Sequence, residues 1–183
     1  MKIIKNAISL IRAHITCCLL KFFNQSRFSY NALIRLHNDV DLHMDRKSQI
    51  CIGKDVVVGS NTVVCAIKGG KLTIGNHVGI NSNSMIVCHQ EICIGDGTMM
   101  GPGVYIYDHD HVFTPYEGVK RTEYKHSPII IGKNCWIGAG SMILRGSVIG
   151  DNCVIGAGSI IKGSYPKGSL IVQKRNTEVI KLL

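Results

Sequence analysis

No acidic residue appears before Asp39, although Lys2, Lys5, Arg12, Lys21, Arg27 and Arg35 precede it. Aromatics make up only 6% of the chain, so its core must be mostly aliphatic. There are four prolines against twenty glycines, which points to many tight turns and away from a collagenous or disordered chain. The longest uncharged run of the first segment, Ala13 to Leu20, cannot span a bilayer, and no small-residue cleavage site follows it. A signal peptide is therefore not expected. The eight cysteines include no CxxC pair and no zinc framework. Cys51 and Cys93 each precede a repeat, and Cys135 and Cys153 fill the same small-residue slot in two repeats. They read as small apolar thiols in a reduced cytoplasm, with no metal required.

What is present is enough for one domain with a short appendage: 183 residues, 45% of them hydrophobic. The net charge of +9 favours an anionic partner, such as a phosphorylated cofactor, a membrane surface or nucleic acid. Nucleic acid is the least favoured, because the basic residues are scattered among Ile, Gly and Ser without a binding motif or interleaved aromatics.

Read in sixes, the chain shows an aliphatic anchor, often followed by glycine. The sets are Ile52, Val58 and Val64; Ile74, Ile80 and Ile86; Ile94, Met100 and Ile106; Ile131, Ile137 and Ile143; and Ile149, Ile155 and Ile161. Four residues after many anchors stands a small or β-branched residue, such as Val56, Thr62, Ser84, Thr98, Cys135 or Ser159. A helical period of 3.6 cannot keep these positions aligned over so many units, whereas short strands separated by turns can. Three units make one triangular coil, and coils stack along an axis. The glycine after the anchor is expected to relieve crowding and φ restriction near the turns.

The pattern [LIV]-G-x-x-[STAV]-x over about residues 51–172 resembles the hexapeptide-repeat acyltransferases, including galactoside, maltose and capsular-polysaccharide O-acetyltransferases. The resemblance implies an all-β fold, a left-handed parallel β-helix, assembled as a homotrimer with acetyl-CoA as co-substrate. The expected organisation is an amphipathic helical segment at 1–38, the β-helix at 39–172 with a loop at 107–128, and a tail at 173–183. Residues 39–50 read as an irregular first coil or connector.

The loop opens with Asp108-His109-Asp110-His111. A hydroxyl attacking a thioester must lose its proton, and a histidine near its ordinary pKa, oriented by a carboxylate, suits that work. His109 stands three residues after its anchor, as His89 does, so the two can stack in adjacent coils. His111, five residues after Ile106, has left the coil register. In the resembled acetyltransferases the catalytic histidine holds that place, which favours His111 as general base. His109 remains the alternative, and Asp108 is the candidate orienting group.

The same resemblance puts an acceptor-binding asparagine on Asn81. It puts an acceptor-binding acidic residue on His89, a departure from the galactoside pattern. The stretch 129–169 matches the late coils that hold pantetheine and the adenine-phosphate end. It implies cofactor contacts at Ala139, Ala157, Lys162 and Gly163. Lys174 and Arg175 are candidates for the 3′-phosphate, although the proline turn usual at the family's end is missing. Trp136, the single tryptophan, is expected at a coil edge or subunit contact.

Ile4, Ile8, Ile11, Ile15, Leu19 and Phe22 fall on one helical face. Such a helix packs on the coil or on a trimer neighbour, or lies on an anionic membrane. The expected location is the cytoplasm, with the inner face of the membrane as the second reading. The expected activity is acetyl transfer to a hydroxyl of a saccharide or lipid-linked sugar. Two other functions compete with it. One is a γ-class carbonic anhydrase, for which His77, His89, His109, His111 and His126 supply ligands, although His109-x-His111 departs from that family's wider pair. The other is a non-catalytic trimeric scaffold.

Overall fold

The computed structural model describes residues 2–31, 33–174 and 180, with side chains from Ala7 onward. All fifteen anchors are buried, none more than 4% exposed. They stack in register through parallel strands. Ile52, Ile74, Ile94, Ile131 and Ile149 line the first face. Val58, Ile80, Met100, Ile137 and Ile155 line the second. Val64, Ile86, Ile106, Ile143 and Ile161 line the third. The faces hold seven, seven and six strands, and the chain winds as a left-handed parallel β-helix of about six coils. Each anchor removes a whole aliphatic side chain from water, worth about 1.5–3 kcal/mol apiece before the entropy of ordering the chain.

The helix begins earlier than the glycine pattern implies. Tyr30 pairs with Ile52, Leu36 with Val58 and Leu42 with Val64, so these three are the anchors of a first coil that starts at Phe28. The boundary expected at residue 39 therefore moves back eleven residues, and 39–50 is regular coil. This coil was missed because none of its anchors is followed by glycine.

The turn geometry assigns left-handed φ and close stacking to different positions. Left-handed φ falls three residues after the anchor, on Leu33, Asp39, Asp55, Asn61, His77, Asn83, Asn134 and Asn152, and on Gly97, Gly103, Gly140 and Gly158. Asn, Asp and Gly dominate there because they tolerate that conformation best. The glycine directly after the anchor instead serves close stacking. A Cβ on Gly53 would lie 2.6 Å from the Gly75 carbonyl carbon in the next coil.

One helix, α1 (Lys2–Asn24), caps the open end of the first coil. It packs through Ser9, Ala13 and Cys17, all buried, with Leu20 partly buried against the core, while Ile8, Ile11, Ile15, Leu19 and Phe22 face outward. The expected loop is a β-hairpin. His109–Thr114 pairs antiparallel with Gly118–His126, with His109 opposite His126 and His111 opposite Tyr124. The chain then returns at Ile129–Ile131, directly against Ile92–Ile94, so the coil stack continues unbroken past the insertion. All eight cysteines are free. Cys17, Cys65, Cys88, Cys135 and Cys153 are buried, while Cys18 and Cys51 are exposed.

Candidate active site

The hairpin leaves the third corner, between the third face of one coil and the first face of the next. Its base is fixed by Asp108, which is fully buried. One carboxylate oxygen accepts the His89 amide N–H at 2.8 Å, and the other accepts those of Gln90 and Glu91 at 2.6 and 2.9 Å. His109 Nδ1 lies 3.2 Å from the first oxygen. Burial works against the charged carboxylate, but the bonds from His109 and the three amides outweigh it and hold the Asp108 carboxyl below its usual range. Asp108, expected to orient the base His111, is joined instead to His109, while His111 meets the Lys120 carbonyl.

His109 stacks on His89, as the equal distances from their anchors implied. His89 is only 6% exposed, and its Nδ1 has no hydrogen-bond partner among the described residues. Burial, reinforced by the neighbouring His109, lowers its pKa to about 4, so it is a neutral ring at ordinary pH. A ring covered in this way cannot take the open acceptor-binding role that the resemblance assigned to position 89. Tyr124 meets both rings edge-on, and the Lys68 ammonium lies 3.9 Å from the Tyr124 ring centroid. On the other side Asp110 pairs with Arg145. The hairpin is thus tied to four successive coils along this corner.

His111 stands beyond the cluster, exposed, with Tyr124 at 4.5 Å between ring centroids. Its Nδ1 lies 3.2 Å from the Lys120 carbonyl oxygen. A carbonyl only accepts, so Nδ1 carries the proton and Nε2 is left as a base. His77, by contrast, sits at the first corner and meets Asp55 at 3.3 Å, away from the cluster of His89, His109 and His126. The five histidines therefore do not converge on one point within the chain.

Asn81, Ala139 and Ala157 share the second corner, in the third, fifth and sixth coils, and all three are exposed. The stack is tight here: Gly158 N–H reaches the Ala139 carbonyl at 2.7 Å. Asn81 also borders a groove of about 510 Å³ on the second face. Outward side chains along that face include Arg35, Val57, Met99 and Trp136, and Gly79 leaves a notch among them. Trp136 is 61% exposed on this face. At the first-corner side of the groove Asp55 holds both Arg35, at 3.0 Å, and His77.

Lys162 and Gly163 lie on the third corner, with the hairpin and not with the two alanines. Lys174 is exposed just after Gln173, whose side chain bonds both the N–H and the C=O of Ile160. Arg175 falls outside the described residues. Within one chain, then, the candidate base and the candidate acceptor and pantetheine contacts occupy opposite edges of the third face. Sequence reasoning missed Tyr124, Lys68, Arg145 and the Gly79 notch. The partners of Asp110 and Tyr124 are distant along the chain, and only the stacking of coils brings them together.

The bacterial transferase hexapeptide model of six repeats matches residues 128–163, the late coils. Nodulation protein L of Rhizobium meliloti (strain 1021) is 40% identical over 78 residues, which are 43% of this chain and 42% of that protein. The chain thus spans less than half the length of that relative. WbbJ of Escherichia coli (strain K12), named as a lipopolysaccharide biosynthesis O-acetyl transferase, is 26% identical over 130 residues, 67% of this chain and 66% of its own. AntD, an N-acyltransferase from Bacillus cereus crystallised with dTDP-4-amino-4,6-dideoxyglucose and coenzyme A, covers 84% of each chain at a TM-score of 0.65 and 20% identity, a likeness of fold. The repeat register and the family match agree over the late coils, where the chain is similar to the bacterial hexapeptide-repeat transferases.

Proposed function

We propose that this protein is an O-acetyltransferase that moves acetyl from acetyl-CoA to a hydroxyl of a saccharide, with His111 as general base. The observation that carries the reading is the His111 ring. It is exposed on a hairpin tied down at both sides, and the Lys120 carbonyl commits its Nδ1 proton. Nε2 takes the proton of the acceptor hydroxyl as that oxygen attacks the thioester carbonyl carbon. The new C–O bond forms, the C–S bond breaks, and the coenzyme thiolate takes the proton back from His111. No acetyl-enzyme is formed. His109, largely covered and held by Asp108, positions the hairpin.

The active unit is a homotrimer. His111 and the Asn81, Ala139 and Ala157 corner lie on opposite edges of one face, so a neighbouring chain must complete the site. Asn81 and the groove beside it receive the acceptor. Ala139 and Ala157 border the pantetheine, while Lys162, Gly163, Lys174 and Arg175 serve its outer phosphates. The relative named for lipopolysaccharide O-acetyl transfer and the sugar nucleotide bound to AntD support a saccharide acceptor.

The test is acetyl-CoA turnover against sugars, sugar nucleotides and lipid-linked glycans, followed by His111→Ala. That change should cut kcat about 10²–10⁴-fold and leave the KM for acetyl-CoA and the trimer in place. If His109→Ala abolishes turnover while His111→Ala keeps kcat, the base is His109.

A further inference from the structure

The capping helix leaves an apolar face without a partner among the described residues. Ile8, Ile11, Ile15, Leu19, Phe22 and Phe23 are between 49% and 76% exposed, while small residues on the other side seal the coil. Scattered exposed aliphatics are ordinary, but six large ones along one side of a single helix are not. The charge around them has one sign: six lysines and arginines and no acid precede Asp39. The basic heads with described contacts are held on the coil side of the helix. Arg12 reaches the Asn38 carboxamide, Lys21 the Phe28 carbonyl, and Arg27 the Asp45 carbonyl and Asn24.

We propose that α1 is an in-plane membrane anchor, with its outward face seated in the acyl boundary of an anionic bilayer and the coil standing on it. An apolar face flanked by cations at headgroup depth is the arrangement that binds such a surface. A second copy of the chain is the poorer occupant. It would bring an equally basic segment against the first, with no acid within residues 1–38 of either copy to offset the repulsion.

The helix is long and apolar enough to cross a membrane by length and composition, but crossing would undo its seat. Ala13 and Cys17 would leave the core, and Arg12 and Lys21 would enter hydrocarbon at about 2.5–3.5 kcal/mol each. The in-plane position keeps every described contact. It does not depend on the acyl-transfer reading.

Flotation of the full-length protein with vesicles tests this directly. With phosphatidylglycerol mixed into phosphatidylcholine the protein should float, and 0.5 M salt or pure phosphatidylcholine should weaken binding about tenfold or more. Ile15→Glu with Leu19→Glu lies on the exposed face. It should abolish flotation while the melting temperature stays within a few degrees. Failure of the unaltered protein to float, or equal flotation by the double variant, would overturn the proposal. So would a double variant that changes the oligomeric state in light scattering while the unaltered protein ignores vesicles, because the face would then be a contact between copies.

Discussion

The imidazole rings of His89 and His109 lie face to face, with centroids 3.4 Å apart and planes 2° from parallel. Two imidazolium ions at that distance would repel strongly, so the stack requires that at least one ring be neutral. Burial first, and then His109, make His89 that ring.

This has a consequence for acid stability. The His89 pKa falls from its ordinary 6.5 to about 4 on folding. Between those values the unfolded chain binds a proton that the native state refuses. Stability is therefore complete above about pH 6.5 and declines as pH falls toward 4, by up to about 3 kcal/mol. His89→Phe keeps a flat ring against His109, removes the titration and abolishes the unpartnered Nδ1. Its melting temperature should fall less than that of the unaltered protein across this window. An unchanged pH slope would assign the acid sensitivity to other groups.

Asp108 makes a separate contribution at lower pH. Its carboxyl is held below the usual range, so its contribution is complete above about pH 4 and disappears as pH falls through the folded value. Asp108→Asn replaces a carboxylate that accepts from three amides, His109 and the Cys88 thiol by a group that must turn an NH2 toward donors, at a cost of about 3 kcal/mol. Because Asp108 ties the hairpin base to the amides of His89, Gln90 and Glu91, the loss should be local. Hydrogen exchange should speed in residues 109–126 while the first three coils stay protected. Uniform loss of protection would make Asp108 a general stabiliser and not a hairpin anchor.

The parts of this architecture that were legible in sequence are those where one residue suffices to report its environment. Ile52 or Ile137 reveals itself by spacing alone, because burial in a repeat demands an aliphatic side chain at every sixth place. Tyr30, Leu36 and Leu42 keep that spacing but lack the following glycine, so the first coil stayed hidden. The DHDH motif disclosed its histidines but not their division of labour. Which ring meets Asp108 is decided by the direction of the strand leaving Ile106, and the stack on His89 by coil height. Arg145 and Lys68 carried no signal, since their hairpin contacts exist only after the coils are stacked. The helix's apolar periodicity was plain, but the face that packs proved to be the small-residue one.

Gly138 and Gly156 hold the same place in consecutive coils, yet they should respond oppositely to alanine. A Cβ on Gly138 would fall 2.4 Å from the Ala157 nitrogen and 2.7 Å from its Cα, and neither atom can move without shifting the next coil. On Gly156 the nearest atom is the Ile171 carbonyl oxygen at 3.5 Å, an ordinary contact. Neither glycine has positive φ. Gly138→Ala should therefore lose about 1–3 kcal/mol through overpacking. Gly156→Ala should be neutral or gain about 0.4–1 kcal/mol by restricting the unfolded chain. Denaturant unfolding of the two variants measures this. Equal losses would mean that the last coil is packed as tightly as the interior ones.

The notch at Gly79 offers the sharpest test of where the acceptor sits. Val57 and Met99 stand on either side of it in adjacent coils, and Asn81 borders the same groove. A Cβ at Gly79 would meet only the Met99 Cε and Sδ atoms, at 2.6 and 2.8 Å. Those atoms are the far end of a flexible side chain, which can swing aside. Gly79→Val should thus fold normally and add β-branched bulk to the floor of the groove. If the saccharide lies there, its KM should rise about tenfold, the scale of about 1–2 kcal/mol of lost contact. The KM for acetyl-CoA should stay unchanged, because Ala139 and Ala157 lie two and three coils further along the stack. A variant with unaltered acceptor kinetics would move the acceptor out of this groove, leaving Asn81 as a corner residue of the coil.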